Sequence, residues 1–253
     1  MSIEVHLQHI APIPPEHERR RSEERRARKD ERQQRMSDAR RALVLDAARS
    51  VFAEHGIEGA NVREIARRAG YTAGALYSYF DSKEAIYAAL LEESLDRLRQ
   101  AVLDARPAQR GRSDSLLLAR AQAWFRFYAD SPRDLDLGFY LVRGVSPKGL
   151  TSDLNRHLDD RLCAALQPCE EALRALGLDA DGARSEHTAL FAHGLGLLLL
   201  QHTGRIGFSG VPVEELFMAY VEHLLARIAP AADSAVEPDS DLAPGQGDLF
   251  AAS

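Results

Sequence analysis

From Ser37 to about residue 228 the apolar positions recur with helical spacing. Val44, Ala48, Val51 and Phe52 follow an i, i+4, i+7, i+8 pattern and predict a first helix that Gly56 ends. Asn61, with Glu64 three residues on, reads as a capping box opening a second helix. The apolar face of that helix is Val62, Ile65, Ala66 and Ala69, and Gly70 stops it. Thr72 caps a short third helix through Tyr79. Asp81 with Glu84 forms another cap pair, ahead of a fourth helix running from Ser82 to about Ala105. Beyond a break at Pro107–Gly111, five more helices are predicted, at about 114–129, 132–143, 152–176, 181–203 and 212–228. Pro168 falls inside the third of these and is expected to kink or split it. No alternating strand and no Asn-Gly hairpin appears, so the predicted fold is all-α.

The two ends read differently. Residues 1–36 form a charged, Arg-rich N-terminal arm, with nine basic and six acidic residues across 16–35 and no apolar stripe. This pattern predicts a solvated helix with some i,i+4 pairing, able to run directly into the next one. Residues 230–253 carry Asp233, Glu237, Asp239, Asp241 and Asp248 and no base, and are expected to be a disordered acidic tail.

Composition narrows the class. A chain of 253 residues with 45% apolar and 28% charged residues is globular, of one or two domains. Its two cysteines, Cys163 and Cys169, exclude a disulfide framework and an all-cysteine metal site. The longest apolar run, 189–200, is interrupted by His193 and falls short of the ~20 residues of a membrane span. No leader-like apolar segment follows the start, so a soluble cytoplasmic protein is expected. The net charge of −6 argues against nucleic acid until it is divided. Residues 1–83 hold 16 basic and 13 acidic side chains, whereas 84–253 hold 16 and 25.

The second and third helices make a helix-turn-helix candidate. Ala66 and Ala69 are small enough for a close helix crossing, and Gly70 permits the sharp turn. Leu76 and Phe80 anchor the third helix from inside. The outward positions Thr72, Ala73, Gly74, Ala75, Tyr77 and Tyr79 are small or hydrogen-bonding and free of acid, as a groove-reading helix requires. The same periodicity also fits an ordinary helical hairpin.

Specific residues resolve this choice. Ala48, Phe52 and Gly56 form an A-x-x-x-F-x-x-x-G ending. V-R-E-I-A-R-R-A-G follows at 62–70, L-Y-S-Y-F at 76–80 and D-S-K-E at 81–84. Residues 41–90 thus resemble the DNA-binding domain of the TetR family of bacterial transcriptional regulators. Two positions depart from the family pattern: Asn61 replaces its usual Thr and Tyr79 its common His, both still able to hydrogen-bond. The resemblance implies a three-helix helix-turn-helix domain at 37–83, followed by a helical-bundle ligand-binding and dimerisation domain at 84–229. It also implies binding to double-stranded operator DNA. Thr72 then offers its hydroxyl to a phosphate or base edge, and Ala73, Gly74 and Ala75 allow close approach. Tyr77, Tyr79 and Lys83 hold the DNA backbone, while Asn61 and Arg63 reach phosphate from the second helix. The arm is either a self-neutralising solvated helix or a segment that sets arginines on flanking phosphate or in the minor groove.

In the second domain, Trp124, Phe127, Tyr128, Phe139, Tyr140 and Phe191 either line a pocket for an apolar or amphipathic small molecule or simply fill the core. The segment 189–203 is apolar nearly all round, so one side is expected to meet a second copy. Leu195, Leu198, Leu199, Phe217, Tyr220 and Leu224 are the candidate homodimer residues. The reading is a ligand-released repressor on a palindromic operator. The alternatives are an activator, or a DNA-binding protein whose second domain only dimerises or binds a protein. G-x-S-x-G, G-x-x-x-x-G-K-[ST] and H-E-x-x-H are all absent from the sequence, so an enzyme is not expected. No cofactor or metal is implied: His187, His193, His202 and His223 lie in the last two helices and could converge, but spacings of six and nine do not guarantee a metal geometry.

Overall fold

The computed structural model describes residues 16–109, 112–139, 150–207 and 210–234. Among these residues the structure is helical throughout, with no strand. The helices are α1 (Glu16–Gly59), α2 (Val62–Ala69), α3 (Ala73–Tyr77), α4 (Lys83–Asp104), α5 (Ser113–Asp130), α6 (Pro132–Phe139), α7 (Ser152–Arg174), α8 (Ala180–His202) and α9 (Val213–Ser234).

The arm and the first predicted helix are one element. α1 runs unbroken until Gly56, whose φ of 66° and ψ of 174° interrupt it before a last turn to Gly59. From Val44 onward one face of α1 is buried, with Val44, Leu45, Ala48, Val51 and Phe52 in the core. α2 starts because the Asn61 carboxamide oxygen accepts the Arg63 N–H at 2.9 Å. It ends at Gly70, in the left-handed region at φ 76°. Thr72 caps α3 by accepting the Ala75 N–H at 3.2 Å. α3 closes earlier than the periodicity predicts, at Tyr77. There the Ser78 hydroxyl donates to the Ala75 carbonyl at 2.7 Å, competing with the helical ladder.

Four other expectations are corrected. The cap of α4 is Ser82, not Asp81: Ser82 has extended backbone and its hydroxyl accepts the Ala85 N–H at 3.1 Å. Glu64 does not complete a reciprocal capping box, because Arg67 and Arg68 occupy its carboxylate. α7 continues through Pro168. The proline ring removes the ladder bond to Ala164, an exposed residue, without splitting the helix. α9 also outruns its predicted end near 228 and reaches Ser234. The predicted continuation of α6 to 143 and the tail from 235 lie outside the described residues.

α4 joins the two halves. Its first turns pack on α1, where Tyr87 meets Phe52 edge-on at 5.7 Å, and its remainder packs on α5, α6 and α7. The second half is centred on an aromatic stack, with Phe125 parallel to Phe217 at 4.4 Å and Trp124 edge-on to Phe217 at 5.1 Å. α8 closes over this stack only because residue 194 is glycine. A Cβ there would lie 2.3 Å from the Trp124 ring and 2.8 Å from Phe217. No helix among the described residues is long and apolar enough to cross a membrane.

Candidate nucleic-acid interface

α2, the turn at Gly70 and α3 form the head, held on α1 from below. Ile65, Ala66 and Leu76 are buried against it, and Phe80 closes the lower side. The remaining α3 positions face outward. Thr72 and Gly74 are exposed, Ala73 and Ala75 are half-buried, and Tyr77 is 52% exposed. Capping leaves useful chemistry behind. Thr72 Oγ1 and Asn61 Oδ1 act as acceptors inside the chain, so the Thr72 hydroxyl proton and the Asn61 amide protons remain for an outside acceptor.

The arginines of α2 divide into two roles. Arg67 donates twice to Glu64, at 2.7 and 2.9 Å. Arg68 donates to Glu64 at 2.8 Å and grips Glu54 of α1 with two bonds of 2.6 Å. The hydrogen bonds from Arg67 and Arg68 draw the Glu64 carboxyl down to about 2. Arg68 thereby straps α2 to α1, while Arg67 is held on Glu64 within α2. Arg63, exposed at the opening of α2, has no ion-pair partner among the described residues and is the one available to phosphate.

The far edge of the head is fixed by α1 and α4. Lys83 Nζ donates to the Glu58 carbonyl at 3.1 Å, tying the last turn of α1 to the first residue of α4. Tyr79 beside Arg40 raises the Arg40 pKa above its ordinary value, and the Arg41 guanidinium sits 4.7 Å above the Phe80 ring. Neither arginine was among the sequence candidates. Their signal is position: they fall immediately before Val44, the first buried residue of α1.

The second-domain candidates separate. Tyr128 and Phe139 line a small cleft of about 50 Å³, open to solvent, together with Leu91, Leu95, Leu158 and Leu162; Asn155 and Asp159 add polar groups. Trp124 is instead packed among Phe125, Phe191 and Phe217. Phe127 lies under the Arg97 guanidinium at 5.6 Å. Tyr140 lies outside the described residues. Of the interface candidates, Leu198, Phe217 and Leu224 are buried within the chain itself, at 1% exposure or less. Leu195 and Tyr220 are half-buried and Leu199 is 39% exposed. The histidines disperse: His193 stacks on Tyr220 at 4.1 Å, and His202 Nε2 lies 3.0 Å from Asp136 Oδ1. Among the described residues no group of three or more potential metal ligands occurs.

Residues 44–90 match the family model described as bacterial regulatory proteins, tetR family. The HTH-type transcriptional regulator BetI of Klebsiella pneumoniae is 31% identical over 134 residues, covering 47% of this chain and 68% of that protein. The chain belongs to the TetR family. BetI of Cronobacter sakazakii aligns with this TetR-family chain over 215 residues at 28% identity, covering 77% of this chain and 95% of its own. The match to the transcriptional repressor AcnR of Corynebacterium diphtheriae, 40% identical over 65 residues, spans 26% of this chain and 34% of that one. Against AcnR and the A-factor receptor of Streptomyces griseus, the TetR-family chain thus spans 34% and 18% of the relative's length. Among solved structures, FadR from Bacillus subtilis in complex with stearoyl-CoA superposes with a TM-score of 0.54 at 20% identity, over 73% of this chain and 97% of FadR. That likeness is one of fold: a TetR-type head followed by a helical second domain.

Proposed function

We propose that this TetR-family chain is a DNA-binding transcriptional regulator: a homodimeric repressor of a roughly palindromic operator, released by an apolar or amphipathic small molecule. One observation carries the DNA reading. α3 presents an acid-free outer surface of small residues, bounded by donors whose acceptor atoms are already used inside the fold. Such a surface can enter a groove closely and still donate to phosphate.

The effector reading rests on the cleft between α4, α5, α6 and α7. Its lining is mainly apolar with two polar groups, the composition of a small-molecule site. Leu91 and Leu95 in that lining belong to α4, the helix whose first residue is bonded to the end of α1. A ligand that binds better when α4 is displaced shifts the head away from its DNA-competent arrangement. Dimerisation is assigned to the outward faces of α8 and α9, with Leu195, Leu199 and Tyr220.

The test is selection of duplexes from a random pool by the full chain, followed by gel-shift titration. The double variant Tyr77→Ala, Lys83→Ala is expected to weaken binding by tenfold or more on every selected sequence. Unchanged affinity overturns the assignment of these contacts. Adding amphipathic acyl compounds to the complex then checks release; binding that no such compound alters counts against the effector.

A further inference from the structure

Tyr128 of α5 is 2% exposed, yet its hydroxyl has no hydrogen-bond partner among the described residues. A buried hydroxyl without a partner is unfavourable, and phenylalanine would fill the same space without it. The ring is well fixed, edge-on to Phe127 at 5.2 Å and to Phe139 at 5.6 Å. Its hydroxyl lies beside Gly138 of α6, 3.8 Å from where a Cβ on that residue would stand. Tyr128 and Gly138 both line the cleft between α4, α5, α6 and α7, so the hydroxyl sits at the cleft wall. Leucines of α4 and α7 make the rest of that wall apolar. Burial, and then the nearby Asp134 carboxylate, push the phenol above its ordinary value, so it keeps its proton. The wall thus carries a fixed donor with nothing inside the fold to donate to.

The charge around the cleft has one sign. No base lines it. His157 and Arg161, next to Leu158 and Leu162 on α7, are paired across to Glu92 and Asp96 of α4. Arg97 is paired with Asp134. Asp159 lines the cleft, is exposed, and forms no ion pair among the described residues; its carboxylate accepts the Asn155 amide at 3.1 Å. An incoming anion would meet this carboxylate with no free cation to offset it. Size sets a further limit. A water needs about 10–15 Å³ of such space, so the cleft of about 50 Å³ takes a group of about four heavy atoms.

We infer that the effector enters this cleft by a compact, uncharged head bearing an oxygen acceptor, which the Tyr128 hydroxyl binds, and that Asp159 turns carboxylates away. The inference rests on the effector reading of the cleft. It makes Tyr128 a specificity-determining residue: a ligand without the acceptor leaves the buried donor unpaired, and sites of that kind discriminate strongly.

Three probes of one ring size separate these effects: cyclopentanone, methylenecyclopentane and cyclopentanecarboxylate. Each is titrated by ligand-observed NMR into the full chain, its Tyr128→Phe variant and its Asp159→Asn variant. Cyclopentanone is expected to bind the parent chain with a Kd of about 1 mM, and the other two at least about fivefold more weakly. Tyr128→Phe is expected to bring the ketone to the level of the hydrocarbon. Its thermal midpoint should be no lower than the parent's, because the lost hydroxyl had no partner. Asp159→Asn is expected to strengthen binding of the carboxylate alone. Equal binding of the three probes, or an unchanged ketone affinity in Tyr128→Phe, overturns the inference. So does a parent chain that binds none of them. A lowered midpoint in Tyr128→Phe overturns it as well, by showing that the hydroxyl is satisfied within the fold. Release of a selected duplex is followed in parallel. Ketone binding that depends on Tyr128 but releases no DNA upholds the contact and overturns the effector reading; release by an acyl compound without ketone binding does the reverse.

Discussion

Arg67 and Arg68 converge on one carboxylate, and that convergence decides which arginine of the second helix is free for DNA. Glu64 accepts three hydrogen bonds from them, and Arg68 reaches on to Glu54 of α1. Because the Glu64 carboxyl is held at about 2, below the ordinary value of 4.5, it favours the folded state wherever it is ionised in both states. That contribution is fully present above about pH 4.5 and disappears as pH falls through 2. Glu64→Gln is therefore expected to lower the thermal midpoint at pH 7, with a gap to the parent chain that narrows below pH 4.5. Thermal melts across pH 3–7 check this; a gap independent of pH would show that the strap acts through packing alone. Lys83 sits at a comparable junction, so its replacement should loosen the joint between α1 and α4 as well as any DNA contact. A parallel melt of Lys83→Ala separates the two effects.

At the scale of elements, the clearest constraint is the seat of α8 on α5. A methyl at position 194 would fall inside the Trp124 and Phe217 rings, which are themselves fixed by the stack with Phe125. Gly194→Ala is expected to cost about 1–3 kcal/mol as an overpacked core, measured by chemical denaturation. The second domain would bear that cost, while the selectivity of the head for DNA sequence should survive. How much of these elements could be read beforehand depended on the kind of signal. Helix existence, from α2 to α9, followed from apolar periodicity, which is local. Caps were harder where two good cap residues adjoin: Asp81 and Ser82 both qualify, and the extended backbone at Ser82 chooses. The box reading of Glu64 failed for a related reason, since the bases at i+3 and i+4 compete for the same carboxylate. Pro168 does not split α7, although it removes the ladder bond to the exposed Ala164. The outward, acid-free face of α3 was legible nearly residue by residue, because short-range spacing and small side chains define it. The supporting roles of Arg40 and Arg41 were not, because they depend on how α1 crosses α3.

For the whole molecule, the sign of charge and the distribution of apolar surface point the same way. The chain is acidic overall at −6, yet its acid is concentrated after residue 83, leaving the head and arm weakly basic. A single weakly basic head with one short reading helix gains little from charge, so tight binding requires two heads on one duplex. The proposed dimer assigns that requirement to α8 and α9. Apolar residues surround α8 and form a stripe on α9, and the sequence alone does not say which side the chain itself covers. The structure turns Leu198, Phe217 and Leu224 inward and leaves Leu199 at 39% exposure, with Leu195 and Tyr220 partly uncovered. A charge at Leu199 touches none of the aromatic stack, so Leu199→Glu should leave the fold and its thermal midpoint within about 0.5 kcal/mol of the parent. If this face joins two copies, the same substitution places a carboxylate in an apolar interface and yields monomers by sedimentation at micromolar concentration. Affinity for a full palindrome should then fall by about a hundredfold or more, whereas affinity for an isolated half-site should not change. A Leu199→Glu chain that remains dimeric and binds the full site as before would move the interface to another face, with α8 covered by something other than its own copy.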